Sequence, residues 1–148
     1  MTISILAAIN NSISSRFAID FLGRMPLNPD EVDIKFIHIL REPKAGEDFL
    51  GEQFMQMLPE RFREVLNHAR QRMIDQGFKP ERITTELVTE NFPTVTDGII
   101  DVFRKGSYNM VVVGRKRMSK AEEFVLGDPS VKLVRELSGT AVVVVKCL

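Results

Sequence analysis

Between Val111 and Val134 the sequence VVVGRKRMSKAEEFVLGDPSVKLV runs from an all-apolar strand pattern into Gly114 and then into a cluster of cations. The cations are Arg115, Lys116, Arg117 and Lys120; Gly127 and a helical pattern follow. A glycine and cations after a strand are suited to holding an anion. Glycine lets backbone N–H groups approach oxygens, and guanidinium groups clamp phosphate in bidentate pairs. The segment Gly127, Asp128, Pro129 and Ser130 works against that chemistry. Asp128 is a good helix N-cap and Pro129 a good first helical residue, so the carboxylate is expected to occupy the N–H groups an incoming phosphate would use. Its charge repels an anion, and proline removes one donor. The cations therefore have two readings, a guanidinium clamp or a solvated basic loop.

Other reactive side chains have simpler explanations. His38 lies near the end of a central strand pattern and reads as a satisfied core or rim histidine; His68 lies among charges on a helix face. Neither stands at a metal-ligand spacing from the other or from Cys147. Ser12, Ser14 and Ser15 sit where a helix begins and read as caps. No G-x-S-x-G, G-x-x-x-x-G-K-[ST] or G-x-G-x-x-G motif occurs, which removes the common hydrolase, P-loop and dinucleotide signatures. Lys plus Arg number 20 and Asp plus Glu number 20, so there is no net charge to gather nucleic acid. One cysteine excludes an intrachain disulfide framework and fits a reducing, cytoplasmic setting. No apolar run approaches the roughly 20 residues of a membrane span, and the opening MTISILAAINNS reads as a first strand.

These residues must be positioned by a regular alternation of elements. Ile3 to Ile9 is a short apolar run closed by Asn10, Asn11 and Ser12, which reads as a buried strand, a turn and a helix cap. A helix follows from Ser12 to about Arg24. Val32 to Leu40 reads as a strand covered on both faces, and Arg41 to Gly51 as a loop. The stripe Phe54, Met57, Leu58, Phe62, Val65, Leu66, Ala69 and Met73 predicts a long helix stopped by Gly77. Ile83 to Val88 is more polar and suits a sheet edge. Pro93 suits the first turn of a helix with the stripe Val95, Ile99, Val102 and Phe103, ending at Gly106. Met110 to Val113 predicts a central strand. Val131, Leu133, Val134 and Leu137 predict a last helix closed by Gly139, and Ala141 to Val145 a fifth strand.

The order β-α-β-α-β-α-β-α-β within one domain, residues 1–148, predicts an α/β fold. The sheet is open, doubly wound and parallel, with five strands and helices on both faces. Ligands in such sheets bind beyond the carboxyl ends of the strands where strand order reverses. That places a site at the turns after Ile9, Leu40 and Val113.

The chain resembles the universal stress protein family over almost its whole length. The likeness lies in the opening strand and short turn, His38 and Ile39 closing the second strand, VVVG closing the fourth, and the final VVVVK. Nucleotide-binding members carry G-x-x-G, nine residues, G-S/T and a further hydroxyl two residues on. Gly114 matches the first glycine, Arg117 stands at the second, Met118 to Leu126 supply the nine residues, and Gly127 matches the third. Asp128 replaces the Ser/Thr, and Ser130 matches the later hydroxyl. Members often end the first strand with an Asp that helps hold the nucleotide; here that position is Asn10. The resemblance implies strand order 3-2-1-4-5, frequent homodimers through the fifth strand, and either bound ATP or no nucleotide.

It also implies a pocket formed by Ala8, Ile9, Asn10, Ile39, Gly114, Arg115, Arg117, Gly127, Asp128 and Ser130. Changes at Asn10, Arg117 and Asp128 lead us to expect a weak or absent response to ATP. The expected function is a non-enzymatic stress-response or regulatory protein, acting through dimerisation and partner contacts, with an altered or vestigial nucleotide pocket. The alternative is an ATP or AMP sensor, with Mg²⁺, in which the basic loop replaces the second motif glycine. A slow nucleotide hydrolase is a third reading, with Asp128 as its only general base. Homodimerisation is expected through Ala141 to Val145, whose apolar edge needs cover; a protein partner is also expected, and no nucleic acid or membrane.

Overall fold

The computed structural model describes residues 1–41, 52–122 and 129–147, and over 52–57 the backbone alone. The strands are β1 (Ile3–Ala8), β2 (Val32–Ile39), β3 (Ile83–Val88), β4 (Met110–Arg115) and β5 (Ala141–Lys146). The helices are α1 (Ile13–Arg24), α2 (Glu52–Asp75), α3 (Val95–Lys105) and α4 (Pro129–Glu136). All strand pairs are parallel and the sheet order is β3-β2-β1-β4-β5. The expected topology and strand order are therefore present, with β3 at one edge and β5 at the other.

Alternation along each buried strand divides the core in two. Ile5, Ala7 and Ile9, with Ile34, Phe36 and Val112, face Ala18 and Leu22 of α1 and Leu66, Ala69 and Met73 of α2. Leu6, Ile37, Ile39 and Val111 point the other way, onto Ile99, Ile100 and Val102 of α3 and Leu133 of α4. Ala8 lies in register with both Ile37 and Val113, so the three inner strands end together and leave a common shelf at their carboxyl ends.

Helix ends follow local chemistry. Ser12 caps α1, its side chain accepting from the Ser15 N–H. At the end of α2 the Phe78 N–H reaches the Met73 carbonyl and the Gly77 N–H reaches that of Ile74, a Schellman closure with Gly77 at φ 101°. Phe78 and Met73 meet in the same core cluster, the apolar contact that usually accompanies it. Pro59 lies within α2, where it removes one helical hydrogen bond.

Three expectations need correction. Pro93 is not in the first turn of α3: Thr94 is the N-cap and Val95 the first helical residue, because the Thr94 hydroxyl accepts the Asp97 N–H. Val131 and Val134 lie on α4 but are exposed; only Leu133 and Leu137 of that stripe enter the core. The second strand stops at Ile39, although the Leu40 N–H still bonds to the Val88 carbonyl. Nearly all of the predicted loop from Arg41 to Gly51, and the side chains of Phe54, Met55 and Met57, lie outside the described residues.

Candidate functional site

The shelf at the carboxyl ends of β1, β2 and β4 opens into a cleft of about 430 Å³, the size of a small-ligand site. Its floor is Ala8, Ile9 and Asn10 after β1, His38 and Ile39 at the end of β2, and Val113, Gly114 and Arg115 at the end of β4. Ser12, Ser14 and Ser15 come from the head of α1, Val95, Thr96 and Ile99 from α3, and Pro129, Ser130 and Leu133 from α4. Lys116 and Met118 complete the wall. Most of this surface is aliphatic, with two cations on the β4 side.

The turn from β1 into α1 is held by a closed set of hydrogen bonds. The Ser15 hydroxyl donates to the Asn10 Oδ1 at 2.9 Å and accepts from the Asn10 N–H at 2.9 Å. Ser12 and Ser14 hydroxyls lie 2.9 Å apart. Asn10 is thus a neutral amide engaged by the helix head.

Gly114 explains why this turn fits. A Cβ there would stand 2.3 Å from the Ser14 carbonyl oxygen and 2.5 Å from its carbon, so only glycine lets the first turn of α1 lie against the end of β4. The positive-φ glycines among the described residues are Gly77 and Gly139. Gly114 therefore serves close approach and not a left-handed turn.

His38 braces the same turn from below. Its Nδ1 donates to the Ile9 carbonyl at 2.8 Å, because a carbonyl only accepts, and its ring stacks on Phe62 at 3.8 Å and 9°. Burial pushes its pKa below the ordinary histidine value, partly offset by the bond to Ile9. The satisfied rim histidine read from the sequence is present, and it also lines the cleft.

The start of α3 is fixed by a capping box variant. Thr94 accepts the Asp97 N–H and donates to the Asp97 carboxylate at 2.7 Å, while Lys132 of α4 reaches the same carboxylate at 2.7 Å. Lys132 first, and Thr94 second, hold the Asp97 pKa below the usual carboxylate range.

Of the residues expected at the site, Ala8, Ile9, Asn10, Ile39, Gly114, Arg115 and Ser130 line the cleft. Arg117 is exposed and does not, whereas its neighbour Lys116 does. Gly127 and Asp128 lie outside the described residues; Pro129 is the first residue of α4, as its chemistry suggested. His68 is exposed.

A family model described as the universal stress protein family matches residues 1–146. The chain belongs to that family. Its fold is similar to a universal stress protein family member from Burkholderia pseudomallei, at 18% identity, covering 96% of this chain and 94% of that one with a TM-score of 0.69. A family member from Arabidopsis thaliana with AMP bound aligns at 16% identity, 99% and 92% coverage and a TM-score of 0.69. The Archaeoglobus fulgidus universal stress protein in complex with dAMP aligns at 13% identity, 99% and 98% coverage and a TM-score of 0.60. Identities this low establish a shared fold. No curated protein matches the chain.

This universal stress protein also brings to the cleft residues that sequence reasoning did not select. Val95, Thr96 and Ile99 follow β3 on the switch-point side, and the Thr94-x-x-Asp97 spacing is the one local signal that marked where their helix begins. No group of three or more potential metal ligands occurs among the described residues.

Proposed function

We propose that this chain is a non-enzymatic regulatory protein whose cleft is an altered nucleotide pocket, suited to an adenine nucleoside monophosphate and not to ATP with Mg²⁺. The observation that carries this reading is the Asn10 turn. An open, mainly aliphatic cleft ends at a neutral amide held by Ser15, so no carboxylate at the end of β1 can hold a cation for a triphosphate. The aliphatic walls suit a base and sugar, and Arg115 and Lys116 offer charge for a single phosphate. AMP and dAMP in two proteins of the same fold support the ligand class.

The regulatory part of the reading rests on the β5 edge. Ile13, Phe17 and Phe21 recur every four residues on α1, and all three are exposed. On the other sheet face, Val131 and Val134 lie on the side of α4 away from the Lys132 and Glu136 that pair with α3. Together they flank the half-buried Val142 to Val145. An apolar, unpaired edge with apolar shoulders suits a second copy of this chain, giving a homodimer. A reducing, cytoplasmic setting belongs to the same reading. No described helix is long and apolar enough to cross a membrane.

Thermal melting with AMP and with Mg-ATP, combined with chromatography of the nucleotides after incubation, tests the proposal. AMP at about 100 times its dissociation constant should stabilise the fold by about 2.7 kcal/mol. Mg-ATP should stabilise less and remain intact. Tighter binding of Mg-ATP than AMP, turnover of either nucleotide, or no response to both would overturn it.

A further inference from the structure

Thr96 is a polar side chain of the cleft to which the fold gives no structural role. It is 6% exposed, lines the cleft from the first turn of α3, and its hydroxyl has no hydrogen-bond partner among the described residues. A hydroxyl that makes no internal hydrogen bond and opens onto the cleft is free to pair with water or with a ligand.

The position of Thr96 is set with unusual firmness. Thr94 and Asp97 cap the helix on either side of it, and Lys132 ties Asp97 to α4. Two residues on, a Cβ at Gly98 would stand 2.8 Å from the Ile39 side chain, so the start of α3 lies hard against the end of β2. On the side of the cleft formed by α3, β2 and α4 the lining includes the aliphatic Ile39, Val95, Ile99 and Leu133, whereas the cleft's cations come from β4 and the residue after it. That neutral, apolar setting fits the polar edge of a flat heterocycle better than a phosphate.

We propose that the Thr96 hydroxyl is a specificity-determining group of the cleft, hydrogen-bonding to the nucleobase edge of a bound nucleoside monophosphate. The proposal rests on the cleft being the nucleotide pocket argued above. Its signature is opposite signs in two measurements. Thr96→Val keeps the shape and removes the hydroxyl, so the ligand-free protein should melt at the same temperature or higher. The same substitution should weaken AMP binding about 3- to 10-fold by calorimetry, the equivalent of one neutral hydrogen bond. Thr96→Ser should bind like the wild type.

Unchanged AMP affinity in Thr96→Val overturns the proposal, as does a lower melting temperature of that variant without ligand, which would reveal a partner inside the protein. Failure of the wild type to bind AMP sinks the pocket reading and this inference with it. Wild-type binding that Thr96→Val leaves intact sinks the inference alone.

Discussion

Gly114 shows how one residue type can be read correctly for an incomplete reason. Its place closing VVVG marked it as a candidate site residue, and it lines the cleft, but what demands glycine is the Ser14 carbonyl 2.3 Å from where a Cβ would sit. Gly114→Ala is expected to push α1 from β4 and to destabilise the fold by about 1–3 kcal/mol, read by urea denaturation. His38 gives a second prediction. Its pKa is lowered by burial from an ordinary value of 6.5, so the unfolded chain binds this proton more readily than the native one. The stability that a neutral His38 contributes is complete above pH 6.5 and is lost as pH falls through the lower folded value. The slope should be at most about 1.4 kcal/mol per pH unit. Denaturation from pH 7.5 to 5 should show a steeper loss in the wild type than in His38→Gln; equal slopes would refute the assignment. His38 and Asn10 were visible in the sequence, but their partners, Ile9 with Phe62 and Ser15, depend on how turns fold back.

Helix boundaries are legible where a single residue controls them. Gly77 was expected to stop the long helix, and it does so at φ 101° in a Schellman closure. Gly77→Ala should cost about 1–2 kcal/mol, because an L side chain resists the left-handed region; thermal melting would register it, and an unchanged midpoint would contradict the cap. Boundaries set by competing signals were less legible. Pro93 favours a first helical turn, but the Thr94 hydroxyl one residue later captures the Asp97 N–H and starts α3 there. Thr94→Ala should therefore lower stability by about 1 kcal/mol in the same assay. The exposure of Val131 and Val134 could not be seen from periodicity, since a helical stripe does not say which part of it meets the sheet.

At the scale of the whole molecule, the apolar edge around β5 makes a prediction about assembly. Phe17→Lys combined with Val134→Glu alters two exposed positions, the second 61% accessible, and should convert a homodimer to a monomer by light scattering without loss of helical signal. A wild type that is already monomeric at working concentration would remove the dimer. The sequence by itself determined the alternation of strands and helices and hence a parallel sheet, whereas the order β3-β2-β1-β4-β5 was implied by the resemblance to the family and is the order the structure shows. Local periodicity marks the elements, and right-handed crossovers make consecutive strands parallel. It also pointed to the carboxyl-end turns after Ile9, Leu40 and Val113, where the cleft lies, because ligand sites in such sheets follow strand ends at a switch point. Only the tertiary structure decided that Arg117 stays outside while Lys116 lines the wall, that Asn10 is tied to Ser15, and that Thr96 lines the cleft. The reason is physical: periodicity and topology place backbone segments, whereas side-chain partners depend on distances between segments far apart in the chain, and those exist only after packing.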